Sequence, residues 1–119
     1  MFDKANIPEA EVVFLKNILH DWSDEDCGRI LENVRGSLPA GSGGRVVIVE
    51  SFVPNPGEVR RDDHHAFTKD FSMMVIGGRG RTEAQTRVML EKTGFRLEQK
   101  MVWWVPLAGK MCCTVASKL

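Results

Sequence analysis

The chain has 119 residues, sixteen basic and sixteen acidic side chains, and 43% apolar residues. Those figures describe one globular domain with a core of its own and exclude a disordered chain. Zero formal net charge without a basic stripe excludes the electrostatic footprint of a nucleic-acid binder, and no apolar run approaches the ~20 residues that a membrane span needs.

The opening Met1-Phe2-Asp3-Lys4-Ala5-Asn6 carries no signal-peptide pattern. The three cysteines, Cys27, Cys112 and Cys113, form neither a disulfide framework nor a CxxC metal pair. The expectation is a cytoplasmic protein with free, buried thiols and no metal.

Glu11–Asn17 is a short apolar run rich in β-branched residues and reads as a buried strand. Ser23 then precedes Asp24, Glu25 and Asp26, a capping-box pattern with acids placed to suit the helix dipole. Cys27, Ile30, Leu31, Val34 and Leu38 follow at helical spacing, and Pro39 with Gly41–Gly44 stops the helix. Arg45–Glu50 is a second strand, apolar on both faces. Strand, amphipathic helix and strand make a βαβ unit with parallel strands and a right-handed crossover.

Pro54-Asn55-Pro56-Gly57 is a loop, and the spacing of Phe67, Asp70, Phe71, Met74 and Val75 predicts a helix. Gly77-Gly78-Arg79-Gly80-Arg81 breaks it. Thr82 and Gln85 form another capping box, opening a helix that ends at Gly94. Phe95–Val105 and Lys110–Ser117 read as two strands whose short connection requires an antiparallel hairpin. The predicted order is β-α-β-α-α-β-β, an α/β fold.

In open parallel sheets, ligands bind outside the carboxyl ends of the strands. Lys16, His20, Asp21 and Trp22 follow one such end, and Glu50 forms another. In adjacent parallel strands His20 and Glu50 could meet. A carboxylate on one imidazole nitrogen fixes the tautomer and raises the basicity of the other, which makes a general-base pair. From spacing alone, two polar strand ends facing water explain these residues at least as well.

Leu15-Lys16-Asn17-Ile18-Leu19-His20-Asp21-Trp22-Ser23-Asp24-Glu25 resembles the signature segment of the S-adenosylmethionine-dependent O-methyltransferases that act on caffeate, flavonoids, hydroxyindoles and polyketides. The resemblance continues in register through Gly44–Glu50, Asp70-Phe71-Ser72-Met73-Met74 and Gly77–Glu83. It implies a methyl transfer from S-adenosylmethionine to a hydroxyl of a small aromatic or polyketide-type acceptor. His20 would be the general base, Glu50 its orienting carboxylate and Asp21 an adjacent acid that helps hold the site. Lys16 would face the cofactor, and Trp22, Asp70, Met73 and Met74 would line the acceptor pocket, where methionine gives an adaptable wall.

Two departures from that pattern stand out. Many members place a second carboxylate against the histidine where this chain has Gly80, which would leave Glu50 alone to orient the base. Members also carry an N-terminal dimerisation domain and a glycine-rich cofactor loop that this chain does not display; Gly41–Gly44 precedes a strand and opens no helix. The chain therefore resembles the C-terminal half of a Rossmann-like class I methyltransferase sheet. The expectation is that the 119-residue chain is inactive alone. Its Glu11–Asn17 strand would be an open apolar edge that pairs with another copy or with a chain supplying the missing half. The alternatives are a truncated non-catalytic partner subunit and a cofactor-free acid–base isomerase or cyclase.

Other residues carry weaker signals. Trp103 and Trp104 are expected on opposite faces of one strand, as are Cys112 and Cys113. Asp62-Asp63-His64-His65 reads as a solvated run, although either histidine could reach the acceptor pocket. Arg79 and Arg81 read as a solvated loop.

Overall fold

A computed structural model describes residues 7–41, 43–51, 53, 57, 64, 68, 71, 74, 78–105 and 109–119. Strand β1 (Val12–Lys16), a 3-10 turn (Leu19–Asp21), helix α1 (Asp24–Ser37), strand β2 (Arg45–Glu50), helix α2 (Glu83–Lys92), strand β3 (Phe95–Val105) and strand β4 (Gly109–Lys118) follow in order. The pattern-based boundaries hold to within a residue or so. The helix expected around residues 67–75 is described in part. His64, Thr68, Phe71 and Met74 are helical, and Thr68 Oγ1 donates to the His64 carbonyl at 2.9 Å, whereas Phe67, Asp70 and Val75 lie outside the described residues.

Local chemistry starts and stops each element. β1 ends where Asn17 turns to φ 53°, a left-handed conformation that asparagine tolerates. Its N–H still reaches Val49 O at 3.0 Å, so the ladder closes as the chain leaves the sheet. Ser23 caps α1 by accepting the Asp26 N–H at 3.2 Å, and its hydroxyl donates to the Asp26 carboxylate at 3.0 Å. The reciprocal half of this box therefore falls on the hydroxyl, not on the backbone. The box at α2 is complete: Thr82 Oγ1 accepts from Gln85 N–H at 3.1 Å, and Gln85 Oε1 accepts from Thr82 N–H at 2.9 Å. Gly94, at φ 85°, ends that helix.

The four strands form one sheet in the order β1-β2-β4-β3. β1 and β2 are parallel, with Val12 opposite Arg45 and Lys16 opposite Val49. β4 runs antiparallel to both of its neighbours. The hairpin expectation is met, and it is β4 rather than β3 that lies against β2. Trp103 and Trp104 pair with Met111 and Lys110, and their side chains lie outside the described part.

The helices cover one face. Cys27, Ile30, Leu31, Val34 and Leu38 pack with Leu90 and Phe95 on Leu15, Val46, Ile48 and Ala116 in a single buried cluster. The opposite face carries a smaller cluster of Val49, Met111 and Cys113. Cys112 and Cys113, adjacent in β4, are both buried, and none of the three cysteines is in a disulfide. On β1, Val12 and Phe14 are 53% and 60% exposed.

Leu31 is fully buried on α1 in the main cluster. Leu31→Ala should lower unfolding free energy by about 2–5 kcal/mol in urea titration, through lost burial plus a cavity. A loss below about 1 kcal/mol would mean that this face is not packed as described.

Candidate active site at the carboxyl ends of β1 and β2

The 3-10 turn at Leu19–Asp21 projects His20 at the rim where β1 and β2 end. His20 is 8% exposed and Glu50, the last residue of β2, is 6% exposed. Glu50 shares the helix-covered face with Val46 and Ile48, because side chains alternate along a strand. Its Oε1 accepts the Leu19 N–H at 2.7 Å and the His20 N–H at 3.3 Å. Donors at the start of a helical turn lack partners within it, and here a strand-end carboxylate from thirty-one residues away supplies one.

The imidazole lies between two carboxylates. Its Nδ1 is 3.6 Å from Glu50 Oε1, beyond hydrogen-bond length, and its Nε2 is 3.1 Å from Asp21 Oδ1. Glu50 thus acts first on the backbone that carries the base and only more remotely on the ring. Asp21 sits on the ring's other nitrogen, where the expectation of a single orienting acid had no partner. Asp21 is the more exposed of the two acids, with a 43% exposed side chain against 8% for Glu50.

The carbonyl side of the turn is held by the segment that the sequence reads as a solvated loop. Arg79 fits that reading: it is exposed and reaches Asp24 at 3.3 Å. Arg81 does not. It is 5% exposed, and its guanidinium donates from Nη1 to Leu19 O at 2.8 Å, from Nη2 to Trp22 O at 2.8 Å and from Nε to Asp24 Oδ1 at 2.8 Å. A planar fork with five N–H donors suits such spread acceptors. The Arg79 N–H bonds His20 O at 2.9 Å. At Gly78 a Cβ would meet that same carbonyl oxygen at 2.1 Å, so only glycine permits this approach. Cys27 Sγ adds a contact to Leu19 O at 3.2 Å. No periodicity signals Arg81; its burial follows from α1 and α2 meeting, which is a tertiary event.

Of the other predicted site residues, Lys16 is exposed at the end of β1. Trp22 is half-buried against the main core cluster. Met74 is helical and 64% exposed. Asp70 and Met73 lie outside the described residues, as do Asp62, Asp63 and His65; His64 is helical and exposed. Among the described residues no three His, Cys, Asp or Glu side chains gather as a metal site would require. None of the described helices is long and apolar enough to cross a membrane.

This arrangement can be compared with known proteins. The model of the O-methyltransferase domain matches residues 1–96. The chain belongs to that family. The myricetin 3'-O-methyltransferase 4 of Solanum lycopersicum is 39% identical over 92 residues, which is 76% of this chain and 25% of that one. The mitomycin 7-O-methyltransferase MmcR superposes with a TM-score of 0.81 at 25% identity, over 100% of this chain and 32% of its own. CalO1, a methyltransferase of calicheamicin biosynthesis solved in its SAH-bound form, gives 0.74 at 31% identity, over 100% of this chain and 33% of its own. This O-methyltransferase-family chain therefore spans about a quarter of the length of its curated relatives and about a third of the solved ones. The described sheet is the class I methyltransferase fold read from the sequence.

Burial pushes the Cys27 thiol up from 9.0 to about 11, against the lowering influence of the nearby Arg81 charge. The folded thiol therefore keeps its proton where the unfolded thiol has lost it, so stability should fall as pH rises from about 9 to about 11. Cys27→Ala should flatten that fall in thermal melts across this window. The wild-type Cys27 should also resist maleimide at pH 8 until the chain unfolds, because the thiolate is the nucleophile; rapid labelling of folded Cys27 would contradict its placement.

Proposed function

We propose that this chain provides the proton-abstracting side of an O-methyltransferase site for a small hydroxylated aromatic or polyketide-type acceptor. The observation that carries this reading is His20, buried at the strand rim with Glu50 and Asp21 on either side and backed by membership of the O-methyltransferase family. A phenol of pKa about 10 is a weak nucleophile at neutral pH until its proton leaves. His20 removes that proton as the oxygen attacks. Glu50 and Asp21 stabilise the imidazolium that forms, and Asp21, the more exposed of the two acids, meets the incoming acceptor. Trp22, Asp70, Met73 and Met74 form the acceptor side of the site by family resemblance.

S-adenosylmethionine, the methyl donor of this family, would supply a methyl group already activated by a sulfonium. The described residues offer it one contact, Lys16 at the end of β1, and among them no glycine-rich loop opens a helix at the strand rim. The chain thus fits the acceptor half of the reaction and not the cofactor half. On this reading the 119 residues alone do not turn over, and the cofactor cradle comes from outside them. The exposed Val12 and Phe14 on β1, whose described pairing is with β2, favour association at that edge. The same edge, with Gly80 in the place of the family's second acid, favours a non-catalytic partner subunit as the second reading.

Calorimetric titration of the chain with S-adenosylmethionine should give no micromolar binding; such binding would overturn the half-site reading. In a complex that transfers labelled methyl groups to a phenolic acceptor, His20→Ala should lower turnover by ~10²–10⁴-fold, the usual worth of a general base. Full activity without the imidazole would end the base assignment and leave the partner-subunit reading.

Light scattering across a concentration series should show association that Phe14→Lys weakens, since a charge on an edge strand blocks pairing. A wild-type chain that stays monomeric at high concentration would refute the edge.

A further inference from the structure

We infer that Arg81 is a positioning residue for His20: its guanidinium fork grips the carbonyl side of the base-bearing turn and, opposite Glu50, sets where the imidazole stands. Its importance for catalysis rests on the general-base reading above; the grip itself does not. The turn's polar backbone has two sides. Glu50 holds the amides of Leu19 and His20. Arg81 holds the carbonyls of Leu19 and Trp22, one residue before and two after the base, each at 2.8 Å. These carbonyls bracket His20, so their separation and direction define the path of the backbone between them.

The fork geometry matters more than the charge. Two terminal nitrogens of one rigid plane reach two different carbonyls, while Nε reaches Asp24 at the start of α1. A lysine ammonium is a compact point charge on a flexible stem and cannot span the same acceptors. Asp24 is 64% exposed at its side chain, so this ion pair is the solvent-screened part of the arrangement. The bond to the Leu19 carbonyl is the buried part. Arg79 extends the same grip through its N–H to His20 O, and Gly78 lets the strap lie directly on that carbonyl. Gly80, where relatives carry an acid by the resemblance above, lies inside this strap. Here Arg79 and Arg81, on either side of that glycine, act on the backbone that carries the base.

Residue-resolved amide hydrogen exchange on the 119-residue chain tests this without turnover. In Arg81→Met and Arg81→Lys, the amides of Leu19, His20 and Arg79 should exchange about tenfold faster or more, while those of Val46 and Ile48 in β2 stay within about twofold. The imidazole resonances of labelled His20 should shift in step. Ethylguanidinium should restore both readings in Arg81→Ala, and ethylammonium at equal ionic strength should not. Asp24→Ala, which removes the exposed carboxylate that Arg81 and Arg79 share and leaves the two carbonyl bonds of Arg81 in place, should speed the same amides by about two- to fivefold and provides the reading should the Arg81 variants fail to fold.

Exchange that rises equally in β2 would make Arg81 a general stabiliser and overturn the proposal, as would unchanged exchange at Leu19 and His20. Slow exchange retained in Arg81→Lys would overturn the role of the fork. Local loosening in a chain that never supports methyl transfer would uphold the grip and remove the catalytic reading alone.

Discussion

A short backbone segment between β1 and α1 has to leave the sheet, reverse and enter a helix with Leu19 and His20 buried at its centre. Its amides and carbonyls need partners, since a buried polar group without one costs about 1–3 kcal/mol. The turn at Leu19–Asp21 is too short to satisfy itself. The solution is one buried charge of each sign: Glu50 on the amide side and Arg81 on the carbonyl side. The position of His20 follows from that arrangement, and so does the closeness of the segment from Gly78 to Arg81.

Buried charges are costly by themselves, and their usual partners are each other. Here each is answered largely by peptide groups. Glu50 accepts two N–H groups, and Arg81 donates to the carbonyls of Leu19 and Trp22. The ion pair of Arg81 with Asp24 reaches an exposed carboxylate, so hydration weakens it. The arrangement ties each charge to the orientation of a turn. That specifies a conformation more sharply than apolar packing, which tolerates sliding.

α1 and α2 bury one face around Ile30, Leu31, Val46, Ile48 and Ala116. Among the described residues the other face holds a smaller cluster of Val49, Met111 and Cys113, and on β1 Val12 and Phe14 are exposed. Strands apolar on both faces belong to sheets covered on both sides. The chain matches about a third of the length of the solved relatives.

The sequence by itself determined the element order, the parallel pair, the closing hairpin and the identity of the helix caps. Each depends on neighbours within about ten residues: alternation, helical spacing, Ser23 and Thr82 before their helices, a short link between β3 and β4. It also brought His20, Asp21 and Glu50 forward as a group, because the carboxyl ends of parallel strands share one rim and because the motif resembles a known family. Only the tertiary structure decided what those residues touch. It directed Glu50 to the backbone of the turn more closely than to the ring, set Asp21 against the other imidazole nitrogen, and buried Arg81 in what reads as a solvated loop. The physical reason is range: periodicity and caps are local, whereas a hydrogen bond between residues 19 and 81 exists only once two helices and a sheet have closed around it.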